Sequence, residues 1–167
     1  MGTKLLELLG EDSELSASAA IVDPASNEIG DTFGPQKLEA SGDFDTAASE
    51  SDALIDFSAP PGTMSALESC LTHETPLVIG TTGLDDAQLE GLREGAKQLP
   101  ILKAANFSVG INLLSRLVSM TSEATAGDFD IEIFEAHHNQ KADAPSGTAL
   151  SLGEAAAKAR DQSLDED

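Results

Sequence analysis

Apolar residues recur along this chain in two periods, and the way those periods alternate predicts its elements. Between Pro60 and His73, Met64, Leu67, Cys70 and Leu71 fall on one stripe, as in a helix that buries one face. Asp85 to Gln98 repeats the pattern, with Leu89, Leu92 and Ala96 inward and Asp85, Asp86, Glu90 and Glu94 outward. Either Asp85 or Asp86 is suited to cap its start. Ile111 to Ala124 predicts a longer amphipathic helix, with Ile111, Leu114, Leu117, Val118 and Thr121 at helical spacing. Thr3 to Leu9 is also helical in pattern, and Gly10 can end it. Short aliphatic or β-branched runs lie between these segments and read as strands: Ser18 to Val22, Ala53 to Phe57, Pro76 to Ile79, Pro100 to Lys103, and a run from Asp130 through Phe134. Residues 24 to 51 are polar and punctuated by Gly30, Gly34, Pro35 and Gly42, which predicts loop with a short strand near Leu38. A last helix opens at about Ser146, and Ser163 to Asp167 reads as frayed.

Strands alternating with helices predict an α/β fold with a parallel, doubly wound sheet. Such sheets bind ligands beyond the carboxyl ends of their strands. Small or polar loops follow the strands at Asp23-Pro24, Asp56 to Pro60, Gly80 to Gly83, Ala104 to Ser108, and His137 to Lys141. The first four are expected to share one sheet edge. Strand-to-helix turns favour Gly, Ser, Thr, Asn and Asp in any case, which explains each loop singly. It explains less well why acids are sparse in the Gly80 and Ala104 loops.

Charge narrows the partners. Thirty acidic residues against nine basic ones give a net charge of −21, spread along the whole chain. Nucleic acid and anionic membrane would be repelled, so neither is expected as a partner. The single cysteine, Cys70, permits no internal disulfide, and with no visible secretory signal it fits a reducing cytoplasm. No run approaches membrane-spanning length. The dispersed acids suggest adaptation to high internal salt. At about 1 M salt the Debye length is near 3 Å, so self-repulsion is screened. The melting temperature is therefore expected to rise between low and molar KCl; a flat profile would sink the idea.

The richest chemistry lies in residues 130 to 150, read as strand, polar loop and helix. His137 and His138 end the strand and Lys141 follows, where a proton donor and a positive charge meet in a chain poor in both. Ser146-Gly147-Thr148 would aim backbone amides at an anion from a helix N-terminus, favouring a carboxylate by roughly 0.3–1 kcal/mol. Such a set suits a small dicarboxylate that is protonated as it reacts. The bland alternative is a surface loop whose histidines are merely solvated. Adjacent histidines usually point apart, so His137, His138 and Asp143 are not expected to hold a metal.

The run Glu135-Ala-His-His-Asn-Gln-Lys-Ala-Asp-Ala-Pro-Ser-Gly-Thr-Ala149 resembles the signature of the dihydrodipicolinate reductase family, E-x-H-H-x-x-K-x-D-x-P-S-G-T-A, at every fixed position. The resemblance implies an NAD(P)H-dependent oxidoreductase that reduces 4-hydroxy-tetrahydrodipicolinate to tetrahydrodipicolinate on the diaminopimelate route to lysine. It implies a Rossmann dinucleotide domain over residues 1–105 and the start of an α+β substrate and tetramerisation domain over residues 106–167. It also implies roles. His137 is the acid/base residue and Lys141 the proton donor, while His138, Gly147 and Thr148 hold substrate carboxylates. Gly80, Thr81, Thr82, Ala104, Ala105, Asn106 and Phe107 line the nicotinamide end. Met1-Gly2 would align with the end of the family's G-x-x-G-R-M-G finger, and Asp23, twenty-one residues after Gly2, would meet the adenosine ribose. Asp23 could equally be a turn residue before Pro24. No Arg or Lys follows Asp23 closely, so NADH is expected to serve at least as well as NADPH.

The departures are equally plain. The family's first strand and most of its glycine finger are not in this sequence, nor are the later strands and C-terminal helix of its substrate domain. The chain therefore reads as the middle of a family sequence, with strand edges left unpaired. Two other readings stay open: another Rossmann oxidoreductase, such as an aspartate or homoserine dehydrogenase, and a non-catalytic acidic binding module. The first leaves the 135–149 signature unexplained. The second is favoured by the missing phosphate loop.

Overall fold

The structure is a computed structural model, which describes residues 1–137 and 145–164. The chain divides into two compact units, Met1–Ala104 and Ala105–Asp167. The first unit runs α1 (Gly2–Glu11), β1 (Ala20–Ile21), β2 (Thr32–Phe33), β3 (Leu38–Ser41), α2 (Phe44–Ser49), β4 (Leu54–Asp56), α3 (Pro60–His73), β5 (Leu77–Ile79), α4 (Asp86–Gly95) and β6 (Ile101–Lys103). The second contains α5 (Val109–Ala124) and α6 (Gly147–Lys158).

Local chemistry sets the helix starts. Asp85 Oδ1 accepts from the Gln88 amide at 2.8 Å, and Gln88 Oε1 accepts from the Asp85 amide at 3.0 Å. This reciprocal pair satisfies two donors that the first turn of α4 cannot. Prolines occupy the start of α3, where a missing N–H costs nothing.

β4, β5 and β6 form a parallel ladder in the order β4-β5-β6, with Leu54 opposite Leu77 and Leu77 opposite Ile101. Its inner face buries Leu77 and Ile79 against Ala66, Leu67 and Cys70 of α3 and Leu92 of α4. On the other face Ile55 and Leu102 are exposed. Cys70 is fully buried, and burial pushes its thiol up to about 11. It stays neutral at physiological pH and serves as a small core side chain.

The structure corrects several expectations. The strands form two ladders, β1-β3-β2 and β4-β5-β6, and β2 runs antiparallel to β3. The loop after β1 therefore does not share a ladder edge with the loops after β4, β5 and β6. Among the described residues no strand pairs with the second edge of β1 or of β4, which is what interrupts the sheet. The 24–51 region holds β2, β3 and α2 rather than one short strand. In it a tight turn joins β2 to β3, with Gly34 at φ 71 and the Lys37 amide donating to the Gly34 carbonyl at 3.1 Å. Helix α4 stops at Gly95, leaving Ala96 exposed and burying Gly95 and Leu99 instead.

Two corrections fall in the second unit. Residues 130–134 are not a strand; Ile131, Ile133 and Phe134 are exposed, Phe134 at 94%. A strand exists through its partner, and no described segment pairs with this run. On α5, Leu114, Leu117 and Thr121 are exposed, and the packed side carries Ser115, Val118, Ser119 and Ser122. These small residues meet the Ala- and Gly-rich side of α6, where Ser119 Oγ donates to the Ala155 carbonyl at 3.3 Å. Arg160 then closes the pair, Nη1 donating to the Phe129 carbonyl at 2.8 Å.

Candidate active site

In the first unit the carboxyl ends of β4, β5 and β6 are stapled together by backbone. The Gly80 amide donates to the Asp56 carbonyl at 2.8 Å, and the Ala104 amide to the Ile79 carbonyl at 3.0 Å. Gly80, Thr81, Thr82 and Ala104 are thus brought to one edge, as a parallel ladder requires of loops that follow its strands. Gly80 is fixed by packing: a Cβ there would lie 2.1 Å from a ring carbon of Phe57. Thr82 is exposed, whereas Thr81 is buried at 4%. The Thr81 hydroxyl donates to Asp56 Oδ2 at 2.9 Å and accepts from the Ser58 amide at 3.0 Å. The Thr81 side chain is therefore turned inward and held by Asp56 and Ser58.

Asp56, expected from the sequence only as part of a strand-end loop, anchors this edge. It is buried at 8%, with three hydroxyls and an amide around its carboxylate. Its signal was visible: an acid at an inward position of an aliphatic strand, followed by Ser58 and Thr63.

Asp23 lies at the end of β1, on the other ladder. Its carboxylate is exposed and accepts from the Ala25 amide at 2.7 Å, while its carbonyl accepts from the Ser26 amide at 2.8 Å. This is the turn geometry of an Asp before a proline. The second carboxylate oxygen remains an acceptor in a position open to solvent.

In the second unit Asn106 organises the segment leading into α5. Its Oδ1 accepts from the Ser108 amide at 2.7 Å, and its Nδ2 donates to Thr148 Oγ1 at 3.4 Å. Two residues assigned to different ligands, Asn106 and Thr148, are thus in contact. Ala105 and Phe107 flank Asn106 and are exposed. Ser146 caps α6, its Oγ accepting from the Ala149 amide at 3.1 Å. Gly147 begins the helix, and among the described residues a Cβ there would meet nothing within 4 Å.

Glu135 ties the two ends of the signature together. Its Oε1 accepts from the Ser146 amide at 2.9 Å, and its Oε2 pairs with His137 Nδ1. A proton held on Nδ1 for Glu135 leaves Nε2 outside this pair. His138 and Lys141 lie outside the described residues. Among the described residues, no group of three His, Cys, Asp or Glu side chains could hold a metal ion. No helix described is long and apolar enough to cross a membrane.

Comparison with known proteins accounts for both units. Residues 1–107 match the family model "Dihydrodipicolinate reductase, N-terminus", and residues 110–167 match "Dihydrodipicolinate reductase, C-terminus". The 4-hydroxy-tetrahydrodipicolinate reductase of Pseudomonas fluorescens (strain Pf0-1) is 45% identical over 171 residues, covering 98% of this chain and 64% of that protein. The enzyme of the same name from Wolinella succinogenes is 43% identical over 167 residues, covering 99% of this chain and 63% of that protein. The chain thus spans a little under two thirds of the length of these relatives. Among solved structures, a dipicolinate-bound dihydrodipicolinate reductase from Paenisporosarcina sp. TG-14 superposes with a TM-score of 0.74 at 23% identity, over 100% of this chain and 67% of that one. That likeness establishes the Rossmann-like α/β fold. The two family models together account for nearly every residue, and the 135–149 signature falls inside the second; the chain belongs to the dihydrodipicolinate reductase family.

Proposed function

We propose that this chain carries the nucleotide-binding part, and the beginning of the substrate-binding part, of a 4-hydroxy-tetrahydrodipicolinate reductase of the diaminopimelate route to lysine. The observation that carries the reading is the seat of the signature. Glu135 binds both His137 and the capped start of α6, which puts an imidazole and a helix N-terminus on one acidic anchor. Residues 1–105 form the dinucleotide domain and residues 106–167 begin the substrate and tetramer-forming domain; a division into compact units between Ala104 and Ala105 supports this. The single cysteine supports a cytoplasmic location.

A reduced nicotinamide nucleotide, NADH or NADPH, supplies the hydride. The residues present suit it. Asp56, at the end of β4, has its carboxylate saturated by neutral donors and so does not confront a phosphate. Asp23 offers an exposed acceptor for ribose hydroxyls. Helix α1 begins at Gly2, where the family's glycine finger would lead into its helix. Gly80, Thr81, Thr82, Ala104, Ala105, Asn106 and Phe107 line the nicotinamide end. His137 serves as the acid/base residue through Nε2, and Lys141 as the proton donor. His138, Gly147 and Thr148 bind the two carboxylates of a small cyclic dicarboxylate.

The test uses the intact protein that carries this chain. It should oxidise NADH in the presence of 4-hydroxy-tetrahydrodipicolinate, with pyridine-2,6-dicarboxylate competing against substrate. No turnover and no binding of the pyridine dicarboxylate would move the chain to the binding-module reading. NADH should support kcat/KM at least equal to NADPH, since the next basic residue after Asp23 is Lys37. A strong preference for NADPH would refute that part.

A further inference from the structure

We propose that Asp56 is a positioning residue for the nucleotide-binding edge, holding the β4–α3 and β5–α4 loops in the conformation that receives the cofactor. The inference rests on the functional reading above. Each carboxylate oxygen accepts two hydrogen bonds. Oδ1 takes the Ser58 amide at 3.0 Å and the Ser58 hydroxyl at 2.5 Å. Oδ2 takes the Thr63 hydroxyl at 2.5 Å and the Thr81 hydroxyl at 2.9 Å. One side chain thus joins the loop after β4, the first turn of α3 and the loop after β5, a span of twenty-five residues between Asp56 and Thr81.

All four donors are neutral. A buried carboxylate without a cationic partner is a costly way to hold a core together, and an apolar side chain among apolar partners would do so as well. What a carboxylate adds is direction, because four donors converge on two fixed oxygens. The amide of Ser58 is pointed inward, shared between Asp56 Oδ1 and Thr81 Oγ1. With the Thr81 side chain also turned in, the backbone of residues 80–82 becomes what the edge presents. Phe57, between the two anchored residues, is held with its ring against Gly80. Asp56 touches no ligand itself; it acts through Ser58 and Thr81.

The test compares Asp56→Asn, Thr63→Val and Thr81→Val in the intact protein. NADH affinity is read from the fluorescence of the bound nucleotide, beside melting temperature and steady-state kinetics. Asp56→Asn turns an acceptor into a donor and is expected to raise the Kd for NADH about tenfold, with KM for the dicarboxylate within about twofold. Thr81→Val should reproduce that shift, and the double variant should add little to it, as for residues acting as one unit. Thr63→Val removes a bond to the same oxygen from the helix side. It should lower the melting temperature yet leave Kd within about twofold. A Kd for Asp56→Asn equal to that of the unsubstituted protein overturns the proposal, as does a Kd that tracks melting temperature across all three variants. If Asp56→Asn does not fold, the contrast between Thr81→Val and Thr63→Val decides. Should the unsubstituted protein bind neither NADH nor NADPH, the functional reading falls and takes this inference with it. Tight binding by both the unsubstituted protein and Asp56→Asn removes the inference alone.

Discussion

Replacing Lys141 by alanine is expected to lower turnover by about 10²- to 10⁴-fold, the usual contribution of a positioned proton donor. That corresponds to roughly 3–5 kcal/mol of transition-state stabilisation, at about 1.4 kcal/mol for each factor of ten. Affinity for NADH should stay within about twofold, because the nucleotide is assigned to residues no later than Phe107 and Lys141 belongs to the substrate-binding signature. The charge balance sharpens the expectation. With nine basic residues against thirty acidic ones, few groups could replace a lost ammonium near the proposed dianionic substrate. Single-turnover rates alongside equilibrium nucleotide binding separate the two quantities. Equal loss of both would argue that Lys141 supports the fold or the nucleotide rather than the proton transfer.

The second large effect concerns stability. Gly80→Ala places a methyl group 2.1 Å from a Phe57 ring carbon, at a residue whose own amide holds β5 to β4. Overpacking of this kind costs about 1–3 kcal/mol. In a unit of this size each kcal/mol is worth roughly 4–8 °C, so the melting temperature should fall by about 10 °C. Gly110→Ala is the control. Its nearest neighbour, Ser108 Oγ, would lie 3.7 Å from the new Cβ, within helix α5. That substitution should leave stability unchanged or raise it by about 0.5–1 kcal/mol. Nucleotide affinity should also drop in Gly80→Ala, since Phe57 must move at the proposed binding edge. A melting temperature within about 2 °C of the unsubstituted protein would show that the ring yields freely.

Much of the candidate site was legible along the chain because its parts are local. The 135–149 signature joins histidines, a capping serine and a helix start within fifteen residues, and Ser146 caps α6 as its neighbours dictate. The Gly80 and Ala104 loops were legible as the ends of short aliphatic strands. Asp56 was legible only as an acid at an inward strand position; its role depends on Thr81, which reaches it only after β4 and β5 pair.

The same division runs through the fold. Composition and periodicity determined by themselves that this is an α/β chain, that α3 spans Pro60–His73, that a helix starts at Asp85 or Asp86, and that another starts at Ser146. A helix period, a cap and a proline act over three or four residues, so they are written where they work. Tertiary structure alone decided the rest. Leu114 and Leu117 had the spacing of a core stripe, yet the serine side of α5 packs against α6, because small residues permit the closer approach. The Ile131–Phe134 run had the composition of a strand and no partner to make it one. The strands paired as two ladders, since pairing is a property of two segments and neither one's sequence states it.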